Sequence, residues 1–181
     1  NGIKIIHIEA GLRSYDNNMP EEQNRIVADH FSNYLIAPTE IAVKNLLKEN
    51  FKKNKIFKYG DTMYDLALET SKKLNAPKKT DYVLMTLHRD INTAKDRLIK
   101  IIKGLSILNY KIVWPIHPKL KKFLNSQNIK LPKNIQIIEP VSYKENLSLI
   151  KNANFVITDS GGIQKEAYFL RKYSFILRKE T

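Results

Sequence analysis

Short apolar runs rich in β-branched and aromatic residues alternate along this chain with longer segments of helical period, and that alternation narrows the fold more than any other feature. The runs read as strands over 3–8, 34–37, 55–59, 82–87, 111–116, 135–138, 155–158 and 175–178. Between them the spacing predicts helices over 21–32, 40–49, 62–74, 94–108, 118–127, 143–150 and 162–171. Parallel strands need a crossover to return the chain, usually a helix, so strand–helix alternation predicts α/β architecture with parallel sheets. Uninterrupted apolar strands such as Val83-Leu84-Met85 suit a sheet covered on both faces. Thr39, Asp61 and Ser142 stand where helix N-caps belong. A polar, Pro-containing break at 74–81 reads as a domain linker or a long loop.

Composition removes several function classes. No apolar run approaches the ~20 residues a membrane-spanning helix needs, so membrane insertion is not expected. The absence of cysteine excludes disulfides, thiolate catalysis and cysteine-ligated zinc, and it fits a cytoplasmic location. The net charge of +13 gathers in clusters such as Lys52-Lys53-Asn54-Lys55, Lys78-Lys79 and Lys119-Leu-Lys-Lys122. No aromatic residues interleave with them as stacking platforms, so they read as solvated surface rather than a nucleic-acid interface. The same excess suits a substrate carrying a diphosphate. The chain begins Asn1-Gly2-Ile3, runs straight into an apolar strand and stops just after another, which reads as a piece cut short at both ends.

One segment carries a specific chemical signal: Asn154-Phe-Val-Ile-Thr-Asp-Ser-Gly-Gly-Ile-Gln-Lys-Glu-Ala167. It reads as a buried strand, a Ser160-Gly161-Gly162 turn and a helix. A helix N-terminus presents unpaired N–H groups and partial positive charge, and glycines let an anion approach that backbone. Ser160 adds a hydroxyl. Glu166, one turn into the helix, suits the diol of a ribose. The bland reading gives Asp159 and Ser160 a capping role and makes the glycines mere turn residues.

Four stretches extend the reading: His7-Ile-Glu-Ala-Gly-Leu-Arg13, Met19-Pro-Glu-Glu-Gln-Asn-Arg25, Thr86-Leu-His-Arg89 and Thr158-Asp-Ser-Gly-Gly-Ile-Gln-Lys-Glu-Ala167. Weaker echoes are Ala37-Pro-Thr-Glu40, Gly60-Asp-Thr62, Pro115-Ile-His-Pro118 and Leu177-Arg178. In order and spacing the chain resembles the non-hydrolysing UDP-N-acetylglucosamine 2-epimerases. The resemblance implies a GT-B-like fold of two Rossmann-like domains facing across a cleft. Residues 1–60 would be the second part of the N-terminal domain and 61–181 most of the C-terminal, UDP-binding one.

The resemblance also implies a reaction: interconversion of UDP-GlcNAc and UDP-ManNAc for surface polysaccharide precursors. UDP is lost to leave a 2-acetamidoglucal, then added back, with no cofactor and no metal. Glu9 and Glu21 would be acid–base carboxylates, with Glu22 a supporting neighbour, and His88 a catalytic or substrate-binding histidine. Arg13 and Arg89 would meet the diphosphate or position the carboxylates. His117 would lie at the substrate with its role open, while His30 is structural. Ser160, Gly161 and Gly162 would hold the diphosphate and Glu166 the ribose. Uracil would be met near 143–146 largely by backbone.

By the same comparison a catalytic Asp and a nucleotide-site Arg of the family lie upstream of residue 1, so the isolated 181 residues are not expected to epimerise. Leu170-Arg-Lys-Tyr-Ser174 departs from the family by lacking a Gly or Pro before the last strand. A homodimer is expected of the full-length protein. The alternatives are a 2-epimerase of a modified UDP-sugar such as a 2,3-diacetamido uronic acid, a hydrolysing 2-epimerase, a GT-B glycosyltransferase, or an inactive nucleotide-binding remnant.

Overall fold

The computed structural model describes residues 2–75 and 80–178. The Lys78-Lys79 pair and much of the break expected at 74–81 lie outside the described residues. Two compact units are present, one running to Asp65 and the other from Leu66 on.

The first unit contains β1 (Ile6–Ile8), α1 (Pro20–Phe31), β2 (Tyr34–Ala37), α2 (Glu40–Lys48) and β3 (Ile56–Lys58), after which α3 (Thr62–Lys72) carries the chain onward. Its sheet is parallel in the order β1-β2-β3. Leu35 and Ala37 point from β2 onto Ala42 and Leu46 of α2, and Ala10 completes this small core. Gly11 explains the tight passage from β1: with φ +78 and a would-be Cβ only 2.4 Å from the Ala42 carbonyl, no other residue fits. The Thr39 hydroxyl caps α2 by accepting the Ala42 N–H. The first strand is shorter than the expected 3–8, because its partner begins only at Tyr34 and pairing covers Ile6 to Ile8.

The second unit holds β4 (Tyr82–Thr86), α4 (Asp90–Thr93), α5 (Lys95–Ser106), β5 (Lys111–Pro115), α6 (Pro118–Ser126), β6 (Ile135–Ile138), α7 (Tyr143–Asn152), β7 (Val156–Thr158), α8 (Gly161–Phe169) and β8 (Ser174–Ile176). The five strands are all parallel in the order β6-β5-β4-β7-β8. Val83, Leu84 and Met85 are fully buried, as expected of a central strand with helices on both faces. Leu98, Ile102 and Leu105 repeat at helical spacing along α5 and pack with Trp114 and Ile112 on one face. Leu84 faces the other side, with Ile150 and Ala167 from α7 and α8. A capping box formed by Ser142 and Glu145 starts α7.

Two expectations are corrected here. The short α4 was not foreseen, because a tertiary contact of Asn92 folds it rather than any local pattern. The last strand occupies Ser174–Ile176 instead of 175–178, set by its three-residue pairing with β7. The turn before it works without glycine: Arg171 takes φ 56, and the Lys172 N–H returns to the Ala167 carbonyl.

Candidate functional site

In the second sheet the chain moves from β4 through β5 to β6, then crosses back to place β7 and β8 on the other side of β4. The order therefore reverses between β4 and β7, and a parallel sheet opens a ligand crevice beyond the carboxyl ends of such a pair. The two strands end on Thr86 and Thr158, whose hydroxyls are hydrogen-bonded at 2.7 Å. Next comes Asp159, fully buried. Its carboxylate accepts the His88 N–H at 3.0 Å, the Arg89 N–H at 3.0 Å and the Asn92 amide at 2.9 Å. The Arg89 Nε donates to the Asp159 carbonyl at 3.2 Å. One side chain thus ties the loop after β4 to the loop after β7.

Ser160 is the N-cap of α8, its hydroxyl oxygen accepting the Ile163 N–H. Gly161 and Gly162 are the first two residues of that helix, and neither has a positive φ. The turn does not need them. A glycine that the backbone does not require leaves the helix N-terminus open to close approach, which weakens the reading of these residues as mere turn formers. Glu166 is 5% exposed, and its Oε2 has no hydrogen-bond partner among the described residues. Burial pushes its carboxyl above the ordinary value. Burial, and then the charge of Glu166, raise the Tyr143 phenol as well, so the two groups face the same region.

Two cavities open along this edge. One, of about 260 Å³, is bordered by His88, His117, Tyr143, Asn146 and Ile163, and the other, of about 730 Å³, again by His88 and His117 with Asp90 and Lys119. His117 is the N-cap of α6, its Nδ1 accepting the Lys119 N–H at 3.2 Å. The structure thus brings His88, Arg89, His117, Ser160, Gly161, Gly162 and Glu166 to one end of one sheet.

In the first unit Glu9 directly follows β1 with φ 74, a conformation that costs a side-chain-bearing residue roughly 1–2 kcal/mol. Its N–H and that of Ala10 both donate to the Ile36 carbonyl. Glu21 is exposed in the first turn of α1. Glu22 beside it is buried and accepts the N–H groups of Ser14 and Tyr15 and the Arg25 guanidinium. Burial pushes the Glu22 carboxyl up, but those donors outweigh it and hold it below the ordinary value. Asp29, fully buried, gathers His7 Nδ1 at 2.6 Å, the Gly11 N–H at 3.2 Å and Arg13 at 2.7 Å. Arg13 is also paired with Glu49, and its side chain is 1% exposed. Burial alone would lower its pKa, yet those two carboxylates raise it. Held by Asp29 and Glu49, the Arg13 guanidinium ties the loop after Glu9 to α1 and to the end of α2. His30 bonds the Ile26 carbonyl and packs edge-on against Phe51, as a structural residue does.

The family model for UDP-N-acetylglucosamine 2-epimerase matches residues 1–181. This chain belongs to that family. The UDP-N-acetylglucosamine 2-epimerase of Methanocaldococcus jannaschii is 45% identical over 99% of the chain and 54% of its own length. A crystal structure of that protein in complex with UDP-GlcNAc and UDP superposes with a TM-score of 0.88 over 99% of this chain and 54% of the other. The UDP-2,3-diacetamido-2,3-dideoxy-D-glucuronate 2-epimerase of Pseudomonas aeruginosa is 39% identical, again over 99% of this chain and 53% of the relative. The chain spans about half the length of these relatives.

Within a 2-epimerase fold, three residues matter that sequence reasoning passed over. Asp159 was seen only as a possible cap, and Asn92 and Asp29 were not singled out. All three act on main-chain groups or on other polar side chains of their own unit, so no periodicity betrays them. The one available signal was an apolar strand ending in an acid, Ile157-Thr158-Asp159.

Proposed function

We propose that the protein carrying this chain is a UDP-N-acetylglucosamine 2-epimerase, interconverting UDP-GlcNAc and UDP-ManNAc for surface polysaccharide precursors. What carries the reading is the β7–α8 turn at the sheet's reversal point, with glycines whose φ is not positive and, one turn on, a buried carboxylate whose Oε2 meets no hydrogen-bond partner among the described residues. The diphosphate would meet Ser160, Gly161 and Gly162, where N–H groups and the helix dipole favour negative charge. Glu166 would accept from the ribose hydroxyls, and the uracil would enter the smaller cavity beside Tyr143 and Asn146. On this reading the first unit is the second part of an N-terminal Rossmann-like domain (1–60) and the second most of a C-terminal one (61–181). A homodimer in the cytoplasm, where UDP-sugars are consumed, completes the proposal.

In the reaction a base removes the C2 proton as the C1–O bond to UDP breaks and a C1–C2 double bond forms. The pair then returns with the proton on the opposite face. Oxidation state is unchanged overall, so acids, bases and a site for the departing diphosphate suffice. Glu9, Glu21 and His88 are the proposed acid–base groups. Arg89, held by Asp159, faces the charge that develops on UDP.

Turnover of UDP-GlcNAc by the full-length protein in deuterated water, followed by proton NMR, tests this. Deuterium should enter at C2, and Glu9→Gln, Glu21→Gln and His88→Ala should each slow epimerisation about 10²–10⁴-fold. Product without C2 deuterium sinks the mechanism, and a loss below about tenfold removes that residue from the set. The Pseudomonas aeruginosa relative and the Met19-Pro20-Glu21-Glu22 segment favour a second reading, a 2,3-diacetamido uronic acid substrate. The same assay with both UDP-sugars decides between them.

A further inference from the structure

Gly161 is unexplained by the fold. Its φ is not positive, and among the described residues a Cβ added there would meet a single atom within 4 Å, Nη1 of Arg178 at 3.5 Å. Neither backbone conformation nor packing excludes a side chain, and glycine weakens a helix relative to alanine. What a methyl group would occupy is the gap between the N-terminus of α8 and the Arg178 guanidinium.

Arg178 is brought there by a fixed backbone. The preceding residue, Leu177, donates its N–H to the Thr158 carbonyl at 2.8 Å, and its own carbonyl accepts the Asn92 amide at 2.8 Å. The same Asn92 amide bonds Asp159, so the approach of Arg178 and the placement of His88 and Arg89 depend on one network. Arg89 reaches the turn from the β4 side through the Asp159 carbonyl. Two guanidinium-bearing residues thus flank a helix N-terminus whose first residue is kept bare. A planar guanidinium binds phosphate oxygens in pairs, and the backbone N–H groups complement it from the other side.

We propose that Arg178 is a diphosphate-binding residue, reaching in from the end of β8 so that phosphate oxygens lie between its guanidinium and the bare backbone of Gly161. The proposal rests on reading the second unit as a UDP site.

Calorimetry on the full-length protein with UDP, uridine and inorganic pyrophosphate tests it. Arg178→Gln should weaken UDP and pyrophosphate about ten- to a hundredfold, the loss expected of a charge-assisted contact, and leave uridine unchanged. Arg178→Lys should recover part of the loss, since it restores charge without the planar fork. Urea unfolding followed by circular dichroism confirms that each variant is folded. If Arg178→Gln binds UDP as the parent does, or loses uridine and UDP together, the assignment is overturned. If the parent binds pyrophosphate as tightly as UDP and Arg178→Gln loses both, the arginine stands and the uridine half of the functional reading falls. If the parent binds neither, both fall.

Discussion

Asp159→Asn isolates the contact that joins the loops after β4 and β7. The parent carboxylate takes the His88 N–H on both oxygens, at 3.0 Å on Oδ1 and 3.3 Å on Oδ2, and the Arg89 N–H and Asn92 amide on Oδ2. An asparagine has one acceptor oxygen. In its less costly orientation that oxygen keeps Arg89, Asn92 and the longer arm of the His88 bond, while its NH₂ replaces the acceptor of the shorter arm and confronts the His88 N–H at 3.0 Å, a donor against a donor. Losing one bond to a charged acceptor costs about 1.5–3 kcal/mol, and the retained bonds weaken when the charge goes. No longer burying an anion offsets part of this, which leaves a net destabilisation of about 2 kcal/mol. For a unit of this size that is a fall in Tm on the order of 10 °C. Trp114 lies fully buried in β5 of the same unit, so its fluorescence follows that unit's unfolding in urea. The midpoint should drop with an unchanged denaturant slope. A shift worth less than about 0.5 kcal/mol would show that the three bonds do not hold the loops, and the argument for Asp159 would fail.

Arg171→Gly should stabilise the chain by roughly 0.5–1 kcal/mol in urea melts, because glycine relieves the left-handed strain at φ 56 and gives back only part in chain entropy; a loss of stability would count against this. Burial holds the Glu166 carboxyl above its unfolded value, so the stability it contributes is complete below the unfolded pKa of about 4.5 and is lost as pH rises through the folded one. The difference between Glu166→Gln and parent should therefore move in the variant's favour from pH 4 to pH 8, and a flat difference refutes the shift.

The architecture was legible because parallel α/β packing writes itself twice, once in apolar strands and once in helical period. Val83-Leu84-Met85 is buried for the reason its composition announced, and the caps at Thr39 and Ser142 bind the N–H groups expected of them. Strand ends were less legible, since length is set by the partner. β1 begins only at Ile6, opposite the first residue of β2, Tyr34, and β8 takes its register from β7. Sheet order is also absent from local pattern. Nothing between 82 and 176 states that β7 returns to pair with β4, yet that return creates the crevice.

The candidate site divides along the same line. Glycines at a strand–helix junction advertise themselves, so Ser160, Gly161 and Gly162 were visible. Asp159 and Asn92 were not, because their work is done on main-chain N–H and C=O groups that every residue type supplies. Arg13 shows how much a motif leaves unsaid. Its place in a motif suggested a ligand contact, and only the surrounding geometry shows a guanidinium consumed by Asp29 and Glu49. Arg178 reverses it again, since a weak echo in sequence becomes specific once Gly161 is found to need no glycine for the fold. For Asp159, Asn92 and Arg13 the discriminating fact is which polar groups each side chain meets, and those belong to residues 16 to 85 positions away. A close reading of motifs names the residues able to touch a phosphate, and the hydrogen-bond partners decide which of them are placed to do so.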